Sequence, residues 1–329
     1  VTRFRPHPLA SGGHRQTLLG YWRRRALEWP HPSEDLVVDV EDDVRVLLRA
    51  TWQPGPREAR PALVLLHGLG GWDGAKYGIA TGRLAYARGW HVLRMNLRGA
   101  GDGMGLSPVL YNAGLDGDLA AVLSALARAT PRLAVVGFSL GANLALLLLG
   151  RRSDRVPPGF VGAVGVSPPL DLAACAAALE LPSNRLYQLY FMGNLRRAYR
   201  ERQAARPDLF QPGLERGVRT LREYDDRITA RYAGFRDAPE YYARSSAGTH
   251  LRRVRHRALI LAAWDDPMVP GASVARWPLS DSVTREMLPT GGHVGFVAPT
   301  AAPGAFWAAE RALDFLERAG SQPALPSSA

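Results

Sequence analysis

Gly137-Phe138-Ser139-Leu140-Gly141 stands between two apolar runs of different character. Before it comes Leu133-Ala134-Val135-Val136, short and β-branched, which predicts a buried strand. After it comes Ala142-Asn143-Leu144-Ala145-Leu146-Leu147-Leu148-Leu149, built from strong helix formers, which predicts a helix. A chain passing from strand to helix through so few residues turns sharply at the central serine. Glycines on either side remove side chains that would collide there. The hydroxyl of Ser139 is left exposed at a helix N-terminus, where the N–H of Leu140 has no intrahelical acceptor and can face a developing oxyanion. The pentapeptide alone also fits an incidental serine in a tight turn; the strand–turn–helix setting makes Ser139 a candidate nucleophile.

The same alternation extends in both directions. Ala62 to Leu66, His91 to Met95 and Val161 to Val166 are strand-like, and Ala75 to Arg88 and Gly114 to Arg128 are helix-like. Strands and helices of these lengths in alternation predict a parallel sheet covered on both faces. Leu36 to Val40 and Val44 to Leu48 predict a hairpin at its start. After Pro168-Pro169 the rhythm stops, and the following stretch is Arg-rich, aromatic and without a buried-type strand. It resumes at Ala258 to Ala263 and Ser282 to Leu288 and closes with a helix from Phe306 to Arg318. The expected organisation is an N-terminal arm over 1–35, neither strand nor long helix, and an α/β core from 36–170 and 251–319. A helical cap is inserted at 171–250, and a disordered tail covers 320–329.

Chemistry-bearing residues gather where strands are expected to end. His67-Gly68-Leu69-Gly70-Gly71 follows Ala62 to Leu66, and its glycines allow close approach to a substrate; the N–H of Leu69 is the expected second oxyanion donor, with His67 a structural residue. The pair Asp265-Asp266 follows Ala258 to Ala263, and His293 lies on a Gly-flanked loop after the next strand. Nucleophile, acid and histidine in this chain order belong to the α/β-hydrolase fold. Neighbouring residues leaving a strand point in opposite directions, so one of the two acids faces the histidine.

Bulk properties exclude other classes. The net charge is +11, yet the basic residues are almost all arginine, with Lys76 the single lysine, and they are interspersed with acids. No nucleic-acid motif accompanies them, so no nucleic acid is expected; weak peripheral attraction to anionic lipid remains. The histidines lack ligand spacing, so no metal is expected. Gly99 to Gly103 lacks the GK[ST] ending of a phosphate loop, and no cofactor is expected. One cysteine, Cys175, excludes an internal disulfide. The opening residues show no signal-peptide pattern and no run reaches transmembrane length, so cytoplasm is the expected location. Nothing in the pattern addresses oligomeric state.

The motifs resemble those of the YheT-type α/β-hydrolases, the family that includes the mammalian abhydrolase-domain proteins one to three. The resemblance rests on Gly12 to Thr17 (GGHRQT), Asn96 to Gly99 (NLRG), Gly137 to Asn143 (GFSLGAN) and the long stretch Thr220 to Ser246. It spans about residues 3–318. Ala142 departs from a more usual glycine, and Asn112 stands where a histidine is expected. The resemblance implies a serine hydrolase acting on carboxylic esters, acylglycerols and other lipid esters included. It also implies that Asp266, opening an Asp-x-x-Val-Pro frame, is the acid of a Ser139–Asp266–His293 triad, with Asp265 bracing the loop. The aromatic cap is expected to supply an acyl pocket for short-to-medium chains through Tyr190 and Phe191. A thioesterase or acyltransferase on the same triad is the alternative, and a noncatalytic scaffold on this fold is a third reading.

Overall fold

The computed structural model describes residues 3–299 and 306–322. Its first element puts a helix of 12 residues, α1 (Gly13–Arg24), inside the expected N-terminal arm. Its buried stripe is Gly13, Gln16, Gly20 and Arg24, so it carries no apolar periodicity that a reading of the sequence could detect. The strands β1 (Glu34–Glu41) and β2 (Val44–Thr51) form the hairpin, closed at Asp42-Asp43, with Asp43 in the left-handed region at φ 57°.

The sheet then builds through β3 (Ala62–Leu66), α2 (Lys76–Ala87), β4 (His91–Met95), α3 (Asp116–Leu126), β5 (Leu133–Phe138), α4 (Leu140–Arg151) and β6 (Phe160–Val166). Helices alone follow: α5 (Leu172–Leu179), α6 (Arg185–Ala205), α7 (Leu221–Tyr224), a π-helical turn at Asp225–Thr229, α8 (Ala230–Ala233) and α9 (Ala238–Ser245). The core resumes with β7 (Ala258–Ala263), α10 (Gly271–Ala275), β8 (Val283–Leu288) and α11 (Trp307–Ser321). Helix α11 runs past Gly320, where a disordered tail was expected to begin, because Leu316 and Ala319 continue its buried stripe. Residues 323–329 of that tail lie outside the described residues.

The eight strands of the described residues lie in the order β1-β2-β4-β3-β5-β6-β7-β8, with β2 antiparallel to both β1 and β4 and every pair from β4 to β8 parallel. Strands β3, β5 and β7 are buried along their whole length, as a sheet covered on both faces requires. On one face α3 and α4 pack through Leu119, Leu123, Leu144 and Leu148; on the other α2 and α11 pack through Ile79, Ala312, Leu313 and Leu316. Each fully buried leucine contributes about 2 kcal/mol through area removed from water. Gly165 of β6 lets α4 lie close: a Cβ there would meet Leu146 Cδ1 at 3.1 Å and the Ala142 Cβ at 3.3 Å.

The helical segment after β6 has a small core of its own, made of Met192, Leu195, Tyr199, Phe210, Val218, Tyr224 and Ile228. Its aromatic richness has a packing cause, since Tyr199, Phe210 and Tyr232 contact one another. Arg202 ties it to the sheet domain. The buried guanidinium donates to the carbonyls of Gly99, Ser107 and Val109, and burial holds its pKa below the usual arginine range. Gly99 must be glycine here: it has φ 66°, and a Cβ would fall 1.6 Å from an Arg202 guanidinium nitrogen.

Candidate active site

The turn from β5 to α4 carries backbone strain at its centre. Ser139 has φ 51° and ψ −121°, a conformation that side-chain-bearing residues rarely adopt and that persists only where surroundings enforce it. The enforcement is visible. Ser139 N–H donates to Val166 O, and Ser139 O accepts from Ala142 and Asn143. A Cβ on Gly137 would lie 2.3 Å from Gly141 O, and one on Gly141 would lie 2.6 Å from His67 O. Both glycines are therefore demanded by close approach. Asn143 anchors the start of α4, donating to Ala113 O and Ser245 O and accepting from Ala247 N–H.

His293 Nε2 lies 3.0 Å from Ser139 Oγ, and its Nδ1 lies 2.9 Å from Asp266 Oδ2. The Asp266 side chain is 1% exposed and that of His293 11%. The other carboxylate oxygen of Asp266 accepts the N–H groups of Met268 and Val269, both at 2.9 Å, which sets the carboxylate's orientation. Asp265 turns the other way. It accepts from the N–H groups of Gly291 and Gly292 and from the Thr290 hydroxyl, bracing the loop that carries His293.

Beside Ser139, the N–H groups of Gly68, Gly70 and Gly71 are taken by the Tyr77 hydroxyl, the Tyr111 hydroxyl and Gly68 O. That of Leu69 meets no acceptor among the described residues. Leu140 opens α4, so its N–H has no intrahelical partner either. His67 is buried, accepts Leu97 N–H at Nε2 and therefore donates from Nδ1 to Gly68 O; burial brings its pKa down to about 4, leaving it neutral. Burial pushes the Tyr77 hydroxyl up to about 12, so it remains a neutral acceptor for Gly68 N–H. Spacing gave no signal for either tyrosine, since both reach the glycine loop only through the fold.

The loop of His293 is also strained, with Val294 at φ 53° and Phe296 at φ 42°. Helix α1 holds it. Thr17 Oγ1 accepts His293 N–H at 2.9 Å, Gln16 both accepts Val297 N–H and donates to Val297 O, and Arg24 donates to Val294 O and Gly295 O. Ser167, itself at φ 51°, accepts Val294 N–H. Burial lowers the Arg24 pKa to about 10. Gly12 to Thr17 stood out in the sequence as a motif, but nothing there revealed that it grips the histidine loop.

A cavity of about 350 Å³ opens beside Leu69 and Leu140 and runs under α6 and the π-helical turn. Met104, Leu110, Leu195 and Ala198 give it apolar wall; Asn112, Arg202 and Asp225 give it polar wall. Asp225 is buried, accepts from Thr229 and Tyr242, and is pushed up to about 6 by loss of solvent. Tyr190 and Phe191, expected in an acyl pocket, do not line this cavity. They sit a turn earlier on α6, where Tyr190 is 59% exposed and packs edge-on against Phe191. The helical period carries the inward face on to Asn194, Leu195 and Ala198 instead. No group of three or more His, Cys, Asp or Glu among the described residues is arranged to hold a metal ion.

Residues 63–309 match the model of the alpha/beta hydrolase family. The chain is 32% identical over 313 residues to the Escherichia coli protein named "Putative esterase YheT", covering 93% of this chain and 90% of that one. It is 30% identical over 272 residues to a monoacylglycerol lipase of Saccharomyces cerevisiae, covering 79% of this chain and 60% of the lipase. Among solved structures, the Pyrococcus furiosus esterase Pf2001 superposes with a TM-score of 0.55 at 16% identity, over 87% of this chain and 92% of that one, a likeness of fold.

Proposed function

The chain belongs to the α/β-hydrolase family, in its YheT-type esterase branch, and from that premise we propose that it cleaves carboxylic esters through an acyl-enzyme on Ser139, His293 and Asp266. Ser139 Oγ attacks the ester carbonyl carbon while His293 Nε2 takes the hydroxyl proton. The His293 Nδ1–H donates to Asp266, which keeps the productive tautomer and stabilises the imidazolium. The N–H groups of Leu69 and Leu140 receive the negative charge of the tetrahedral oxygen. As the carbon–oxygen bond to the alcohol breaks, His293 returns the proton to the leaving oxygen. Water then attacks the acyl-enzyme with the same histidine as base, releasing the acid and restoring Ser139. The observation carrying this reading is the continuous run of 3.0 Å and 2.9 Å contacts from a strained Ser139 through His293 to Asp266.

The substrate is proposed to be a small-molecule or lipid ester with a short-to-medium acyl chain, acylglycerols included. The cavity beside Leu69 and Leu140 would take the acyl chain against Leu195 and Ala198. The test is turnover of aryl esters of increasing acyl length by wild type, Ala198→Phe, Tyr190→Ala and Phe191→Ala. Ala198→Phe should move the preferred chain to shorter acyl groups, and the other two should keep the wild-type profile. An unchanged profile for Ala198→Phe would remove the acyl chain from this cavity. The same reactions with added alcohols or thiols distinguish hydrolysis from acyl transfer, because transfer diverts the acyl group to the acceptor.

Thr17 acts on this chemistry as a positioning residue. Thr17→Val keeps the shape but removes the acceptor for His293 N–H, and Thr17→Ser keeps the hydroxyl. Small displacements of a reacting group cost rate without costing affinity. Thr17→Val is expected to lower kcat by about tenfold with little change in KM, and Thr17→Ser to stay near wild type. Equal kcat for Thr17→Val and wild type would show that the hydroxyl is dispensable for holding the loop.

A further inference from the structure

Helix α1 is amphipathic in the reverse sense. Its inward stripe is glycine, glutamine and arginine, whereas Leu18, Tyr21 and Trp22 on the outer side are 57%, 64% and 56% exposed. A surface helix ordinarily turns its apolar stripe to the core. The first turns of α6 do the same: Leu186, Leu189 and Tyr190 are 78%, 58% and 59% exposed. These two short stretches hold six of the twelve large apolar side chains left exposed among the described residues, which makes them a patch and not scattered surface residues.

The stretches are joined. The His14 ring stacks parallel to Tyr187 with centroids 5.7 Å apart, and its Nδ1 lies 3.2 Å from the Tyr187 hydroxyl. His14 shares a helical face with Leu18 and Tyr21, and Tyr187 with Tyr190. The seam lies against the site, since Thr17 interacts with Tyr187 through its hydroxyl and accepts His293 N–H. Charge adds a second property. Residues 1–27 contain six arginines and no acid. Arg24 turns inward to the histidine loop, but Arg3, Arg5, Arg15 and Arg25 are exposed, as is Arg185 at the start of α6, whereas Arg197 and Arg200 farther along α6 pair with Glu201 and Glu215.

We propose that the outer face of α1 and the start of α6 dock on an anionic lipid surface, bringing the mouth of the site to it. A lipid surface of this kind supplies both things the patch lacks: negative charge for the arginines and an apolar boundary layer for Trp22, Tyr21 and the leucines. Tryptophan and tyrosine favour that boundary because one end of each ring system is apolar and the other polar. A second copy of this chain is a poorer occupant, because the same face would bring the exposed arginines of α1 and Arg185 against their own copies. No helix among the described residues is long and apolar enough to cross a membrane, so the contact would be peripheral.

The proposal deepens the ester-hydrolase reading, but its test does not depend on turnover. Ser139→Ala protein is mixed with phosphatidylcholine vesicles with and without phosphatidylglycerol, and binding is measured by flotation. Binding should require phosphatidylglycerol and weaken with salt. Combining Leu18→Ser, Tyr21→Ser and Trp22→Ser should weaken it at least about tenfold, as should Arg15→Gln with Arg25→Gln. Both sets, in the Ser139 background, should keep wild-type hydrolysis of a soluble short-chain ester, which shows that they fold. The proposal is overturned if the parent protein ignores phosphatidylglycerol vesicles, or if the triple variant binds them like the parent. It is also overturned if the parent self-associates in vesicle-free sedimentation and the triple variant does not, since a second copy would then cover the face. Failure of the esterase reading would appear separately, as vesicle binding without turnover of any ester.

Discussion

Ser139→Ala is expected to abolish covalent labelling by a fluorophosphonate and to lower kcat for ester hydrolysis by at least about 10⁴-fold, with the melting temperature close to wild type. The rate falls because alanine removes the oxygen that His293 Nε2 faces at 3.0 Å, and with it the atom that would carry the acyl group in the proposed mechanism. The fold should survive because the backbone bonds that hold the elbow, from Ser139 N–H to Val166 O and from Ala142 and Asn143 to Ser139 O, do not involve the hydroxyl. Alanine tolerates the left-handed φ no worse than serine does. Wild-type turnover by purified Ser139→Ala would move the nucleophile elsewhere.

The second large effect separates two neighbouring acids. Asp266→Asn should lower kcat by at least about a hundredfold; the chymotrypsin-type case, a worked example of this substitution, loses about 10⁴. The physical reason lies in how the carboxylate is held. One oxygen of Asp266 accepts two N–H groups, so an asparagine must keep its carbonyl there and turn its amide NH₂ toward His293 Nδ1. That imidazole then carries its proton on Nε2 and presents a donor to Ser139, which is the wrong tautomer for a base. Asp265→Asn can still accept from Gly291 and Gly292 through its carbonyl, so a loss of about tenfold or less is expected. Measuring kcat for both at equal folded concentration decides the matter, and the reverse ranking would assign the acid to Asp265.

The alternation of strands and helices was legible because buried parallel strands and amphipathic helices differ in apolar period, and that difference needs no tertiary information. The elbow was legible for a related reason. Gly137 is required by a 2.3 Å approach to Gly141 O, which a strand–turn–helix of this sharpness creates by itself, whereas Gly141 is required by a 2.6 Å approach to His67 O that only the packed sheet supplies. The choice between Asp265 and Asp266 was not available from spacing, since both leave the same strand; family likeness indicated Asp266, and the geometry shows what each carboxylate touches.

Other features left no local trace. Helix α1 buries Gln16 and Arg24 because loop carbonyls and amides 270 or more residues away need partners, and no period in its own sequence records that need. Tyr77 and Tyr111 hold the glycine loop from positions 9 and 41 residues distant. The inward face of α6 at Leu195 and Ala198, about one and two turns beyond Tyr190, was set by how that helix rests on Gly99 through Arg202. Element identity and the order of the chemical residues follow from local periodicity and turn chemistry, which the chain carries in its neighbouring residues. Which side chains meet, which loop is held in strain and which apolar face is left outward depend on contacts between residues far apart in sequence, and those exist only once the chain has packed.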